Sequence, residues 1–215
     1  MSEELETVAP ENLDLTGAEG AALANTRIIN GVVAPAPGDW ELDVPHTNLM
    51  FVARYMMLTK VRGRFNKFQG TIHLAEKPEH SWVELTIDAA SLDTDNETRD
   101  NHLRSADFLD VEHHPTIDFR STKVELLGDD QLRVIGDLTI RGVTREVGLD
   151  AEYLGAEKDP WGNTRIGFAA KTAVDRDQFG VSWNQVLETG GVLVGKRADI
   201  EIEAQAIPKA ADEPA

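Results

Sequence analysis

The chain has 215 residues, room for one large domain or two small ones, and its 41% hydrophobic content is ordinary for a globular protein. A formal charge of −17 without a basic run argues against nucleic acid as a partner and against direct attraction to anionic membranes. With no cysteine, disulfides, thiolate nucleophiles, iron–sulfur clusters and cysteine-based zinc sites are excluded together.

Residues 1–39 differ from the rest. Glu3, Glu4, Glu6, Glu11, Asp14, Glu19 and Asp39 stand there against the single Arg27, and no aromatic precedes Trp40. Such a stretch cannot bury enough apolar surface to offset its ordering entropy, so an unpacked acidic arm is expected. A sharper alternative lays Thr26–Pro37 across one mouth of the fold. The acidic, non-hydrophobic start carries no secretory pattern and no run approaches the length of a membrane span, so a cytoplasmic protein without an integral membrane segment is expected.

From Trp40 onward the apolar residues alternate. Trp40, Leu42 and Val44 share a face, followed by Leu49, Phe51, Ala53 and Tyr55, then Val83, Leu85 and Ile87. Ile117 with Phe119 continues the pattern, as do Leu132–Ile140, Val143–Ala151, Ile166–Val174 and Ala198–Ala204. Repeated period-two patterning marks half-buried antiparallel strands. Turns are expected at Gly128-Asp129-Asp130, Arg141-Gly142 and Asp159-Pro160-Trp161-Gly162. One stretch, Thr94–Leu109, reads as a helix capped by Thr94 or Asn96. The expectation is an all-β fold: one antiparallel lipocalin-like barrel of about eight strands over residues 40–206, with a short helical insertion and a frayed tail at 207–215.

A meander of this length closes to remove its edges. Ala53, Gly63, Gly136, Ala151, Ala170 and Ala204 share the inward phase, and small inward residues leave space. The patterning leaves open whether Phe51, Phe65, Phe119 and Phe168 fill that space instead.

Candidate chemical sites are sparse. His113-His114 are adjacent and point apart, and no histidine spacing suits a metal, so no metal and no cofactor are expected. No serine sits in a nucleophile elbow, and the glycine-rich Gly190–Lys196 lacks phosphate-loop spacing. Glu97, Arg99, Asp100, His102, Arg104, Asp107 and Asp110 gather in the helical stretch, where capping and salt bridging outweigh acid–base chemistry. Arg99 or Arg104 could there meet an anionic headgroup.

An ordered series of motifs resembles the YceI-like family. It runs through His46–Arg54, Val61–Phe65, Ile87–Thr94, Arg99–Phe108, Pro115–Thr122, Gly136–Thr144, Arg176–Gly180 and Val194-Gly195, spanning about Trp40 to Ala206. Two departures stand out: an acidic arm where many members carry a secretion signal, and Tyr55-Met56 where the family pattern has His then Leu. The resemblance implies a lipocalin-like barrel threaded by a polyisoprenoid or related amphiphile, and no catalytic residues. On strand phase, the expected ligand contacts are Leu49, Phe51, Ala53, Tyr55, Phe65, Leu85, Phe119, Leu138, Phe168, Ala170 and Ile200. The function so read is storage or carriage of an isoprenoid or other long-chain lipid, not catalysis, with a homodimer left open. The rivals are an enzyme or accessory factor using the 96–110 acidic segment, and a ligand-free structural or stress protein.

Overall fold

The computed structural model describes residues 26–29, 32–128, 130–188 and 190–210. The strands are β1 (Thr26–Ile29), β2 (Val32–Pro35), β3 (Gly38–Leu42), β4 (Asn48–Tyr55), β5 (Thr59–Phe65), β6 (Phe68–Leu74), β7 (Trp82–Asp88) and β8 (Leu92–Asp93). Helix α1 (Glu97–Arg104) follows, then β9 (Thr116–Leu126), β10 (Gln131–Ile140), β11 (Val143–Lys158), β12 (Thr164–Asp175) and β13 (Val194–Pro208). Three pairs of strands are halves of bent staves. A tight turn at Val44–His46 separates β3 from β4, Asn66-Lys67 separates β5 from β6, and a turn at Ala89–Ser91 separates β7 from β8. The halves stay in line: β13 pairs β4 from Val194 to Glu203 and β3 from Ala206 to Pro208. Pairing of β12 with β13 shuts the ring, giving a closed antiparallel barrel of eight strands.

The turns follow from their residues. Arg141 and Gly142 join β10 to β11 with φ of 50° and 71°, both left-handed, in a two-residue hairpin. Such a turn matches the strand twist and favours glycine at its second position. In the β11–β12 turn, Asp159 accepts from the backbone N–H of Trp161 at 3.0 Å and of Asn163 at 2.9 Å. It also accepts from the Asn163 amide and Arg165. Burial disfavours the charged carboxylate, but these donors outweigh burial and hold its pKa at about 2.

The core has two parts. Leu49, Ile117, Phe119, Leu138, Leu149, Val174 and Phe179 gather toward the barrel end that carries α1 and the β10–β11 turn. Trp40, Leu42, Ile166, Ala204 and Ala206 gather at the opposite end, with Phe168 and Tyr153 packed against them. Trp40 is 2% exposed, and its indole N–H donates to the Ala36 carbonyl at 3.2 Å.

Three sequence expectations change here. The helix is shorter than Thr94–Leu109. Asn96 caps it, accepting from the Arg99 N–H at 3.0 Å, and Ser105 is already extended. Thr94 is no cap, because its N–H and hydroxyl both donate to the buried Asp100. Beyond the helix, Phe108 and Leu109 turn inward to cover the barrel end. Within the stretch read as an unpacked arm, β1 and β2 form a hairpin. Arg27 ties it to the barrel through Glu76 (2.8 Å) and the Ala75 carbonyl (2.9 Å). Backbone pairing and a guanidinium anchor order it, devices that apolar content does not measure. Residues 1–25 lie outside the described residues. At the other end, β13 continues to Pro208 and the Lys209 N–H donates to Asp39, past the point where fraying was expected.

Candidate ligand-binding cavity

The half of the barrel beneath α1 is hollow. It holds a cavity of about 210 Å³ walled by aliphatic and aromatic side chains from β4, β5, β7–β13 and the segments that cap the end. That exceeds the roughly 150 Å³ apolar cavity known to stay dry and take up benzene. The other half is filled by the Trp40 cluster. The choice between a hollow and a filled barrel thus has a different answer at each end.

Eight residues singled out from strand phase line the cavity: Leu49, Phe51, Ala53, Phe65, Leu85, Phe119, Leu138 and Ile200. Three do not. Tyr55 keeps the phase but stands at the end of β4, opposite Val194, where the barrel wall stops, and it is 44% exposed. Phe168 lies in the filled half, its ring 5.4 Å from that of Tyr153, whose hydroxyl burial pushes up to about 12. Ala170 packs against the cavity-side core without reaching the cavity. Phase along a strand says which face is inside; it carries no information about depth along the barrel.

The small inward residues have mixed roles. Ala53 lines the cavity. A Cβ on Gly63 would strike the Phe51 ring, and one on Gly136 would come 2.7 Å from the Phe119 ring. These glycines are seats for the aromatic walls rather than free space.

Neither headgroup candidate faces the cavity. Arg99 donates to the Thr94 hydroxyl and carbonyl, each at 2.7 Å, and Arg104 donates to the carbonyls of Ala90 and Leu92. Arg104 fastens α1 to the β7–β8 stave, and Arg99 holds it to the residue that follows β8. The acidic segment is similarly committed. Asp100 binds Thr94, and His102 meets Asp107 at 3.0 Å while its ring stands edge-on to Phe108 and Trp183. His113 bonds Asp110, whereas the His114 ring packs under Gly142, so the histidine pair diverges. Among the described residues no three His, Cys, Asp or Glu side chains gather as a metal site.

Sequence reasoning missed Arg176 as a lining residue. Among the described lining residues it alone is charged, and it is only 8% exposed. Its Nε donates to Gly195 at 3.0 Å and its two terminal nitrogens to the carbonyls of Val181 and Val194. Burial lowers its pKa, with Asp177 and Asp175 opposing from a distance. A signal existed: Thr172, Val174 and Arg176 continue the inward phase of β12. The capping residues Leu103, Phe108, Leu109, Phe179 and Val181 had no comparable signal, since they come from α1 and turns.

An eight-stranded barrel with an apolar calyx at one end defines a lipocalin-like fold, one whose interior can hold a small ligand. Within that class the chain belongs to the YceI-like domain family, whose model matches residues 40–206. It is 34% identical over 193 residues to a UPF0312 protein of Vibrio cholerae, covering 87% of this chain and 97% of the relative. A UPF0312 protein of Staphylococcus aureus is 34% identical over 171 residues, 78% and 95% of the two chains. Among solved structures, the Campylobacter jejuni YceI protein aligns with a TM-score of 0.63 at 29% identity, over 71% of this chain and 87% of its own. A Saccharophagus degradans domain described as polyisoprenoid-binding shares the fold at a TM-score of 0.59 and 16% identity, covering 79% and 98%.

Proposed function

We propose that the protein binds a long-chain apolar ligand, a polyisoprenoid or related amphiphile, in the calyx beneath α1, and stores or carries it. The observation that carries this reading is the cavity of about 210 Å³ walled almost entirely by hydrocarbon. An apolar chain gains roughly 25 cal/mol for each Å² removed from water, so affinity is shared among many weak contacts. Membership of the YceI-like family and the description of the Saccharophagus degradans domain as polyisoprenoid-binding support the ligand class. A binding role rather than catalysis is part of the proposal, supported by the structural duties of the 96–110 side chains. So is a cytoplasmic location, which cell fractionation checks.

Native mass spectrometry of the purified protein, followed by organic extraction, tests the reading. One isoprenoid-class molecule per chain is the expected result. Protein that is consistently lipid-free, and that takes up no isoprenoid when offered one, leaves the ligand-free structural role standing instead.

A further inference from the structure

The β4–β5 hairpin has an unusual tip. Leu58 is 76% exposed and Met57 55% exposed, with Tyr55 and Met56 exposed beside them. Met56 and Met57 have φ of 50° and 59°, and the Leu58 N–H donates to the Tyr55 carbonyl at 3.0 Å. This is the type I′ pattern, which favours Asn-Gly and disfavours bulky side chains. Strained backbone that persists with large apolar residues held into solvent is a mark of function. The tip is fixed, because the Met56 N–H donates to the Leu193 carbonyl at 2.7 Å.

The charge around it opposes that of the chain. Between Asn48 and Phe68 stand Arg54, Lys60, Arg62, Arg64 and Lys67, with no Asp or Glu, in a chain of formal charge −17. Arg54 and Lys60 face each other across the hairpin, and Arg62 follows two residues on, all exposed. Among the described residues no carboxylate lies within ion-pair distance of these three, whereas Arg64 is held by Asp93 and Asp95. The tip also sits at the hollow end of the barrel. Ala53 and Val194, the cavity-lining residues nearest the turn, flank Tyr55 in the pairing of β4 with β13.

An apolar apex with exposed cations along one face of its hairpin, none held by a carboxylate among the described residues, is the chemistry that docks at a bilayer interface bearing anionic headgroups. We propose that the Tyr55–Leu58 tip inserts into an anionic lipid surface, with Arg54, Lys60 and Arg62 on the headgroups, and so places the calyx where an apolar chain can move between bilayer and protein. The charge of the whole chain, which argued against membrane attraction, does not describe this corner of it. The proposal rests on the lipid-binding reading and is tested separately from it.

The test is flotation of the full-length protein with vesicles of neutral phosphatidylcholine, or of phosphatidylcholine with about a third phosphatidylglycerol, alongside its extracted lipid content. Binding to the anionic vesicles, weakened by salt, is expected. Arg54→Glu should weaken it by about thirtyfold, because it removes one cation and adds one anion at the surface. Met56→Asn with Met57→Gly should weaken it about tenfold or more by removing two apolar side chains. This double variant also gives the turn its preferred residues, so a folding failure does not blur the result. Equal flotation on both vesicle types, or flotation unchanged in both variants, overturns the proposal. So does a tip that mediates self-association, seen as a dimer in sedimentation that the double variant dissociates. Lipid found in the extract of a protein that does not float would overturn the docking and leave the ligand reading intact.

Discussion

Ala53→Trp separates a ligand running through the calyx from one bound elsewhere. Ala53 lines the cavity on β4, between Val61 of β5 and Ala198 of β13. An indole there projects into about 210 Å³ of free space. It excludes about 150 Å² of ligand surface. At about 25 cal/mol per Å² the loss is about 4 kcal/mol, several hundredfold in Kd. The fold should tolerate the change. A dry void of 210 Å³ costs up to about 5 kcal/mol at about 24 cal/mol per Å³. Partial filling therefore offsets the roughly 1–3 kcal/mol of local overpacking. The assay is lipid extracted per mole of protein, with titration of a fluorescent isoprenoid analogue and circular dichroism melts. Phe168→Ala is the matched control in the filled half. It should cost about 3 kcal/mol of stability and leave ligand per folded mole unchanged. A folded Ala53→Trp variant that binds as the parent does refutes the placement of the ligand.

Asp100→Ala should cost about 2–4 kcal/mol in denaturant unfolding, because it orphans the Thr94 N–H and hydroxyl in a buried site, while folded protein keeps its ligand. Asp159 titrates at about 2 in the fold, below its ordinary 3.8, so its ionised form stabilises the native state at neutral pH. That contribution is lost as pH falls from about 3.8 towards 2, and Asp159→Asn should flatten the melting temperature across this window. Deleting residues 1–37 removes the Arg27 anchor and the Ala36 carbonyl that holds Trp40, and should lower the melting temperature by about 2–4 °C for each kcal/mol lost. An unchanged melt would show that the β1–β2 hairpin lies on the barrel without supporting it.

Much of the barrel was legible because its strands alternate cleanly. Leu49, Phe51, Phe119, Leu138 and Ile200 could each be assigned to the interior from neighbours two residues away. Turn chemistry was equally local: Arg141-Gly142 and Asp159–Gly162 announce themselves by residue type. The misreadings share a cause. Tyr55 and Phe168 have the right phase at the wrong height, one beyond the rim and one in the filled half. Thr94 looked like a cap because its partner Asp100, six residues on, could not be known to turn back. Arg104 looked free because the carbonyls it binds belong to a stave whose place was not yet fixed, and Arg99 because the chain's turn back onto Thr94 was not.

Period-two alternation, turn residues and an ordered set of motifs determined by themselves that this chain is an antiparallel barrel of the YceI-like kind, since each is written within a few residues. Closure of the ring, by contrast, joins β12 and β13 and bends β3 into β4, and it sets which inward residues meet. The tertiary structure alone decided that Trp40 plugs one end, that the other stays open beneath α1, and that Arg176 looks into an apolar space. The cations of the β4–β5 hairpin already stand beside its apolar tip in the sequence, and the structure adds that this tip is held into solvent. Depth along a barrel and partners across it are long-range quantities, fixed by register and stagger between strands far apart in sequence.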